Sequence, residues 1–260
     1  MEKLYVIKIG GNIIDDEAQL KSFVAHVAAI PHAKILVHGG GKLATRVAEA
    51  LQIPQQMQDG RRITDADTLK VVTMVYAGAI NKNIVALLQQ QGCNALGLTG
   101  ADGNLIQAKK RNPQPINYGF VGDVQQVNTA LAASLLRQGI CLVCAPITHN
   151  AEGSLLNTNA DTIAQEMAKA MSSLYHVSLI YCFEKKGVLR NSLDDESVIA
   201  QINPALFEQL KADGTVNAGM LPKLQNAFDA ISQGVSDVTI GHAAMLPQLI
   251  AGQAGTTILP

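Results

Sequence analysis

Short apolar runs alternate along the chain with longer segments whose apolar positions recur every three or four residues, the two periods of strands and helices. Residues 4–9 read as a strand, 17–29 as a helix stopped by Pro31, and 34–37 as a second strand followed by a helix over 42–51. Thr64-Asp65-Ala66-Asp67 resembles a capping box opening a long helix to about Gln91, after which 95–98 is a strand. The alternation continues with helix 129–138, strand 140–144, helix 160–170, strand 177–181, helices 204–211 and 220–233, and strand 238–240. Strands alternating with helices imply a mostly parallel sheet covered on both faces, so the expected class is α/β. Over 100–127 and 147–156 the pattern breaks into short pieces punctuated by Gly, Pro and Asn. These read as hairpins projecting from the sheet, placed to act as a lid.

With 260 residues, 48% of them hydrophobic and 16% charged, the chain is long and apolar enough for a buried core and is not a disordered polymer. A formal net charge of −1 gives no field that would attract nucleic acid or an anionic bilayer, so an anionic ligand must be caught locally. No apolar run is expected to span a membrane, the best candidate over 71–80 being broken by Thr73 and Gly78. The first residues enter a strand without a secretory pattern, so a cytoplasmic location is expected. Cys141 and Cys144 have Cys-x-x-Cys spacing, but in a strand residues three apart face opposite sides; with Cys93 and Cys182 they read as small buried hydrophobes.

Candidate chemistry gathers at strand ends, where open parallel sheets bind ligands. The first strand ends in Lys8-Ile9-Gly10-Gly11-Asn12 and the second in His38-Gly39-Gly40-Gly41-Lys42, just before a helix. Glycines let the backbone approach a phosphate, and a helix N-terminus adds donors and a favourable dipole. Neither stretch is a P-loop or a dinucleotide fingerprint. Lys8, set between Ile7 and Ile9, should meet an anion, because a lone buried charge is costly. Asn157-Thr158-Asn159-Ala160-Asp161 opens a helix with more polar groups than capping needs, and Lys223 stands near a helix start, the wrong end of the dipole unless an anion is bound. Of Arg61 and Arg62, one is solvated and the other is free to clamp a carboxylate in a bidentate fork. His38 and His149 read as structural hydrogen-bonders, and Lys109-Lys110-Arg111 as a solvated turn.

Taken in order, Lys8-Ile9-Gly10-Gly11, His38-Gly39-Gly40-Gly41, Gly60-Arg61-Arg62-Ile63-Thr64, Asn157 to Asp161 and Gly219-Met220-Leu221-Pro222-Lys223 resemble the amino acid kinase family, and the resemblance runs from Leu4 to Leu259. It implies a three-layer αβα sandwich with a mainly parallel central sheet. An N-terminal lobe, residues 1–171, would bind an acylated amino acid and form a homodimer, and a C-terminal lobe, 172–260, would bind the nucleotide. The implied reaction is ATP-dependent phosphorylation of the side-chain carboxylate of an N-acylated L-glutamate to an acyl phosphate in arginine biosynthesis. N-acetyl-L-glutamate is the first expectation; N-succinyl-L-glutamate, or a non-catalytic amino-acid sensor of the same fold, is the alternative. Other kinases of the family, for aspartate, glutamate, carbamate or uridylate, stay open within it.

Carried over by motif, Lys8 and Lys223 would neutralise the transferred phosphoryl group, with Asp161 orienting both. Gly10, Gly11, Gly187 and Gly219 would join the two lysines around ATP, while Gly40, Gly41, Arg62 and Asn157 would hold the amino acid. The implied cofactors are ATP and Mg²⁺, with no metal-ligating set of side chains. A glutamyl carboxylate, with a reference pKa of about 4.3, is ionised at neutral pH, so no general base is needed. Cys182-Phe183-Glu184-Lys185-Lys186-Gly187-Val188 stands where the family usually has Thr/Ser-Asp-Val-x-Gly-Val, and Ala218 where it usually has Gly. The chain begins its first strand at once, without the extra helix of arginine-inhibited members, so insensitivity to arginine is expected. A succinyl group would call for a further cation, and Arg61 or Lys109 is available by sequence.

Overall fold

The computed structural model describes residues 1–58, 61–191, 193–215 and 220–260. An eight-stranded sheet runs from edge to edge through Gln201–Ile202, Thr256–Ile258, Asp237–His242, His176–Phe183, Lys3–Ile9, Ala33–His38, Cys141–Cys144 and Ala95–Leu98. The six strands from Asp237–His242 onward are parallel, and Thr256–Ile258 turns antiparallel against them. Helices cover both faces, which makes the expected αβα sandwich.

Alternation in the first strand decides what each face receives. Leu4 and Val6 pack with Ile163, Met167 and Leu224, from the helices Ala160–Met171 and Leu221–Ser232. Tyr5, Ile7 and Ile9 pack on the other side with Phe23, Ala44, Val72 and Ile84. Each of the Val, Leu, Ile, Met and Phe side chains among them, fully buried, contributes roughly 1.5–3 kcal/mol. Lys8 has the parity of Leu4 and Val6, so its stem enters the first layer at the strand's carboxyl end, where the Ala160–Met171 helix begins.

The long helix departs from expectation in two ways. Asp65, not Thr64, is its cap, accepting from the Thr68 amide at 2.7 Å, because Thr64 is buried and its backbone bonds the neighbouring hairpin. The helix also widens into a π turn over Met74–Ile80 between the α-helical Ala66–Thr73 and Asn81–Gln90. Ala66–Gln90 is 25 residues long and contains an 18-residue window of mean hydropathy 1.5, so by length and composition it passes as a membrane span, contrary to the reading above. Val71, Val72, Tyr76, Ile84 and Leu88 are nonetheless buried in the second apolar layer, as in a core helix.

The two expected hairpin regions merge into one four-stranded sheet, ordered Leu155–Asn157, Ile147–His149, Ile106–Lys110 and Gly122–Val127. Isolated bridges join it to the main body, Thr64 to Gly119 and Val121 to Asn157. Cys141 and Cys144 face opposite layers as expected. Cys93 differs: it is half-buried beside Cys141, whose hydrogen bond, helped by the Lys34 ammonium, lowers its pKa.

Candidate active site

Two cavities open at the carboxyl ends of the parallel strands and share Gly10, Gly11 and Gly41. The first, about 220 Å³, is walled by the glycine turn, Arg62, and the segment Asn157 to Asp161. The second, about 470 Å³, is walled by Phe183, Lys185, Gly187, Met220 and Lys223.

Lys8 stands at the seam. Its side chain is only 10% exposed, and its Nζ lies 2.7 Å from Asp161 Oδ1. Asn159 holds Asp161 in place by capping the helix, its Oδ1 accepting from the Asp161 amide at 2.8 Å and the Thr162 amide at 3.2 Å. Phe183, at the end of its strand, presents one ring to both lysines: Nζ of Lys8 is 5.1 Å and Nζ of Lys223 is 4.0 Å from its centre. Stacking a cation on an aromatic face offsets part of its lost hydration. Burial lowers the pKa of Lys223, the Asp161 carboxylate raises it, and the Lys8 ammonium lowers it further. The two lysines therefore sense one carboxylate and each other, although 215 positions separate them.

The glycines are there for close approach. Gly40 has φ of +151°, and a Cβ on it would sit 2.2 Å from Ile80 Cδ1, so both the turn and the helix wall exclude a side chain. Gly41 opens the helix Gly41–Ala50 with its amide end toward the cavities. Gly187 lines the second cavity, yet its lack of a side chain is needed for packing, since a Cβ would meet Thr256 Oγ1 at 2.7 Å.

Of the two arginines, Arg62 is the buried one and Arg61 the exposed one. Arg62 Nη2 donates to the Gly41 carbonyl and to Thr45 Oγ1, both at 2.9 Å, and Nη1 donates to Gln55 Oε1. Much of the expected fork is thus spent on the scaffold, and the buried Nε is left without an acceptor. Asn157 donates to Thr64 Oγ1 at 3.0 Å, which ties the first cavity's floor to the Arg62 strand. Arg111 corrects the sequence reading: Lys109 and Lys110 are exposed, but Arg111 lines the first cavity. The strand Ile106–Lys110 ends just before it, so no strand period could have placed it. Phe183 was also missed as a partner of the lysines, because nothing local links it to them. Gly219 and Gly60 lie outside the described residues.

His38 is structural, as expected. Burial lowers its pKa to about 4, so the ring is neutral; Nδ1 donates to the Gly39 carbonyl at 2.8 Å and Nε2 accepts from Asn81 Nδ2 at 3.1 Å. His149 likewise bonds Asn104 Oδ1 at 2.8 Å. Among the described residues no three His, Cys, Asp or Glu side chains cluster to hold a metal ion. Asp161 and Glu184 are the carboxylates lining the two cavities, and Asp161 is engaged by Lys8. That donor set suits a divalent cation brought in on phosphate oxygens rather than one caged by protein.

Glycine turns and a helix N-terminus at the ends of parallel strands, with two lysines facing one carboxylate between two cavities, define an α/β protein built to hold a phosphate between two ligands. The chain belongs to the amino acid kinase family, whose sequence pattern it matches over residues 3–242. It is 57% identical to an acetylglutamate kinase of Bacteroides thetaiotaomicron over 245 residues, 94% of this chain and 95% of that one. It is 56% identical to an acetylglutamate kinase of Cytophaga hutchinsonii over 251 residues, 96% and 95% of the two chains. Among solved structures, that of smu.665 from Streptococcus mutans superposes with a TM-score of 0.79 at 26% identity, covering 99% of this chain and 98% of that one.

Proposed function

We propose that the protein transfers the γ-phosphoryl group of ATP to the side-chain carboxylate of N-acetyl-L-glutamate, in arginine biosynthesis, as acetylglutamate kinases do. The observation that carries this reading is the convergence of Lys8 and Lys223 on one Phe183 ring, beside Asp161, where the two cavities meet.

In this reading the smaller cavity takes the amino acid and the larger takes ATP. The acceptor carboxylate is already an anion, so the chain's work is to align two anions and screen the charge between them. Lys8 and Lys223 supply the cations, and Asp161 keeps the Lys8 ammonium aimed at the seam. Gly10 and Gly11 offer close backbone donors to the phosphates, with Gly187 on the nucleotide side; Gly219, expected there by motif, lies outside the described residues. Gly40 and Gly41 line the acceptor's path, and Arg62 Nε with Asn157 holds its α-carboxylate. Mg²⁺ arriving on ATP would neutralise phosphate charge and orient the β- and γ-phosphates.

The division into residues 1–171 for the acyl-amino acid and 172–260 for the nucleotide goes with this assignment, as does a cytoplasmic location, where ATP is available. A homodimer through the first lobe is part of the reading. Met74 on the long helix and Leu96 on the edge strand Ala95–Leu98 are exposed apolar side chains of that lobe, which supports it. The test is hydroxylamine trapping: with ATP, Mg²⁺ and N-acetyl-L-glutamate, an acyl hydroxamate forms and ADP appears in equal amount. Tight binding of the amino acid with no hydroxamate would instead make the protein a sensor.

A further inference from the structure

Lys8 and Lys223 have one carboxylate between them. Asp161 pairs with Lys8 at 2.7 Å, whereas Lys223 makes no ion pair among the described residues. What meets the Lys223 ammonium is the Phe183 ring, 4.0 Å from Nζ to centre, and the same ring takes Lys8 at 5.1 Å. Two like charges are thus brought to a seam that holds one countercharge, and each is costly to keep there without compensation.

The ring is itself held. On neighbouring parallel strands Lys8 stands beside Tyr181, and Phe183, two residues further on, points to the same side of the sheet. The Tyr181 and Phe183 rings stack at 16° with their centres 6.1 Å apart. Tyr181 is buried, and its hydroxyl donates to the Asp161 carbonyl oxygen at 3.4 Å. Phe183, Tyr181, Asp161 and Lys8 therefore close a loop of contacts, and Lys223 joins it through the ring. Phe183 is only half-buried and lines the second cavity, so core packing alone does not account for an aromatic side chain at this place.

An aromatic face suits what a phosphate would need. A second carboxylate beside Lys223 would neutralise it and occupy its N–H donors. A π face attracts the cation without carrying net charge, so the ammonium keeps its full charge and turns free N–H groups to an arriving anion. An aliphatic side chain would exclude water and offer nothing in return.

We propose that Phe183 is a positioning residue for phosphoryl transfer: its ring holds the Lys8 and Lys223 ammonium groups side by side at the seam, charged and aligned before the phosphates arrive. The inference deepens the kinase reading above and rests on it. Phe183 acts through the lysines, sparing the transfer step the ordering of two long flexible side chains.

The experiment measures hydroxamate formation from ATP, Mg²⁺ and N-acetyl-L-glutamate in Phe183→Leu, in Phe183→Tyr and in three proteins that carry mono-, di- or trifluorinated phenylalanine at that position alone. Fluorine withdraws electron density from the ring face at nearly constant shape, so it weakens the hold on a cation and leaves packing in place. Phe183→Leu is expected to lower kcat about tenfold or more while both KM values stay within about threefold, the mark of an interaction that matters as the phosphoryl group moves. Phe183→Tyr keeps the π face and should stay within about threefold of the native rate, and kcat should fall stepwise with fluorination, to about fivefold with three fluorines. A trifluorinated protein with native kcat would overturn the inference, and because its shape is conserved this arm stands even where Phe183→Leu folds poorly. A KM for ATP that rises at unchanged kcat in the Leu and fluorinated proteins would overturn it too, making Phe183 a wall of the nucleotide cavity. Native protein that forms no hydroxamate overturns the kinase reading and this inference together, whereas native turnover indifferent to the ring overturns the inference alone.

Discussion

The two cavities that meet at Gly10, Gly11 and Gly41 are held in place by different means. The proposed amino-acid side is fixed by partly buried hydrogen bonds, Arg62 to Gly41, Thr45 and Gln55 and Asn157 to Thr64, and by the exposed cap that Asn159 gives its own helix. The nucleotide side is bordered by a loop whose charges pair in solvent, Lys185 with Asp195 at 2.7 Å and Lys186 with Glu196. Exposed pairs of this kind contribute little and are screened by salt. A polar net in a half-buried wall gives a preformed shape, whereas solvated charges give a rim that adjusts. In the proposed function, the contrast fits one side that discriminates among small acids and another that admits the same nucleotide at every turnover.

The seam between them should respond most to mutation. Lys8→Met is expected to lower kcat by about 10²–10³-fold with little change in either KM, since it removes charge stabilisation that matters as the phosphoryl group moves. A rise in KM at unchanged kcat would move Lys8 from the seam into ground-state binding. Next comes the pH profile. Lys223 is pulled down by burial and by Lys8 and pushed up by Asp161, so kcat/KM should fall on the alkaline side at a lower pH than an ordinary lysine would impose. Asp161→Asn removes the upward push and shifts that limb to lower pH, while Lys8→Met removes the repulsion and shifts it to higher pH. Shifts of the same sign in both variants would break the picture of a shared site.

On the amino-acid side, Arg62→Ala should raise KM for the acyl-glutamate by about tenfold to a hundredfold and leave KM for ATP nearly constant. It should also cost about 1–3 kcal/mol of stability in denaturant titrations, because Gln55 and the Gly41 carbonyl lose a buried partner. The smallest effect is expected on the nucleotide side: Lys185→Ala should change KM for ATP by less than about threefold, and the change should vanish in high salt. A larger, salt-resistant effect would show that this rim is as firmly built as the other.

Much of this site was legible before any coordinates. The glycine pairs at strand ends, Lys8, Asn157, Asp161 and Lys223 each break a local rule, and such breaks show in a single sequence, whereas Arg62 was told from Arg61 only by the family resemblance. Arg111 and Phe183 break none. Arg111 follows two exposed lysines, and Phe183 ends an apolar strand as an ordinary hydrophobe would. The π turn over Met74–Ile80, whose Tyr76 and Ile80 pack close against Gly40, was equally silent.

By itself the sequence determined the layered α/β class, the strand ends that carry chemistry, and the pair of lysines that a phosphate would need, because periodicity and misplaced charge are local properties of the chain. Only the tertiary structure decided that residues 8, 161, 183 and 223 share one seam, and that the third member of a Lys-Lys-Arg run turns inward while the first two face water. Those outcomes depend on which hairpin docks against which strand end, and docking is settled by packing between distant segments, which no local period records.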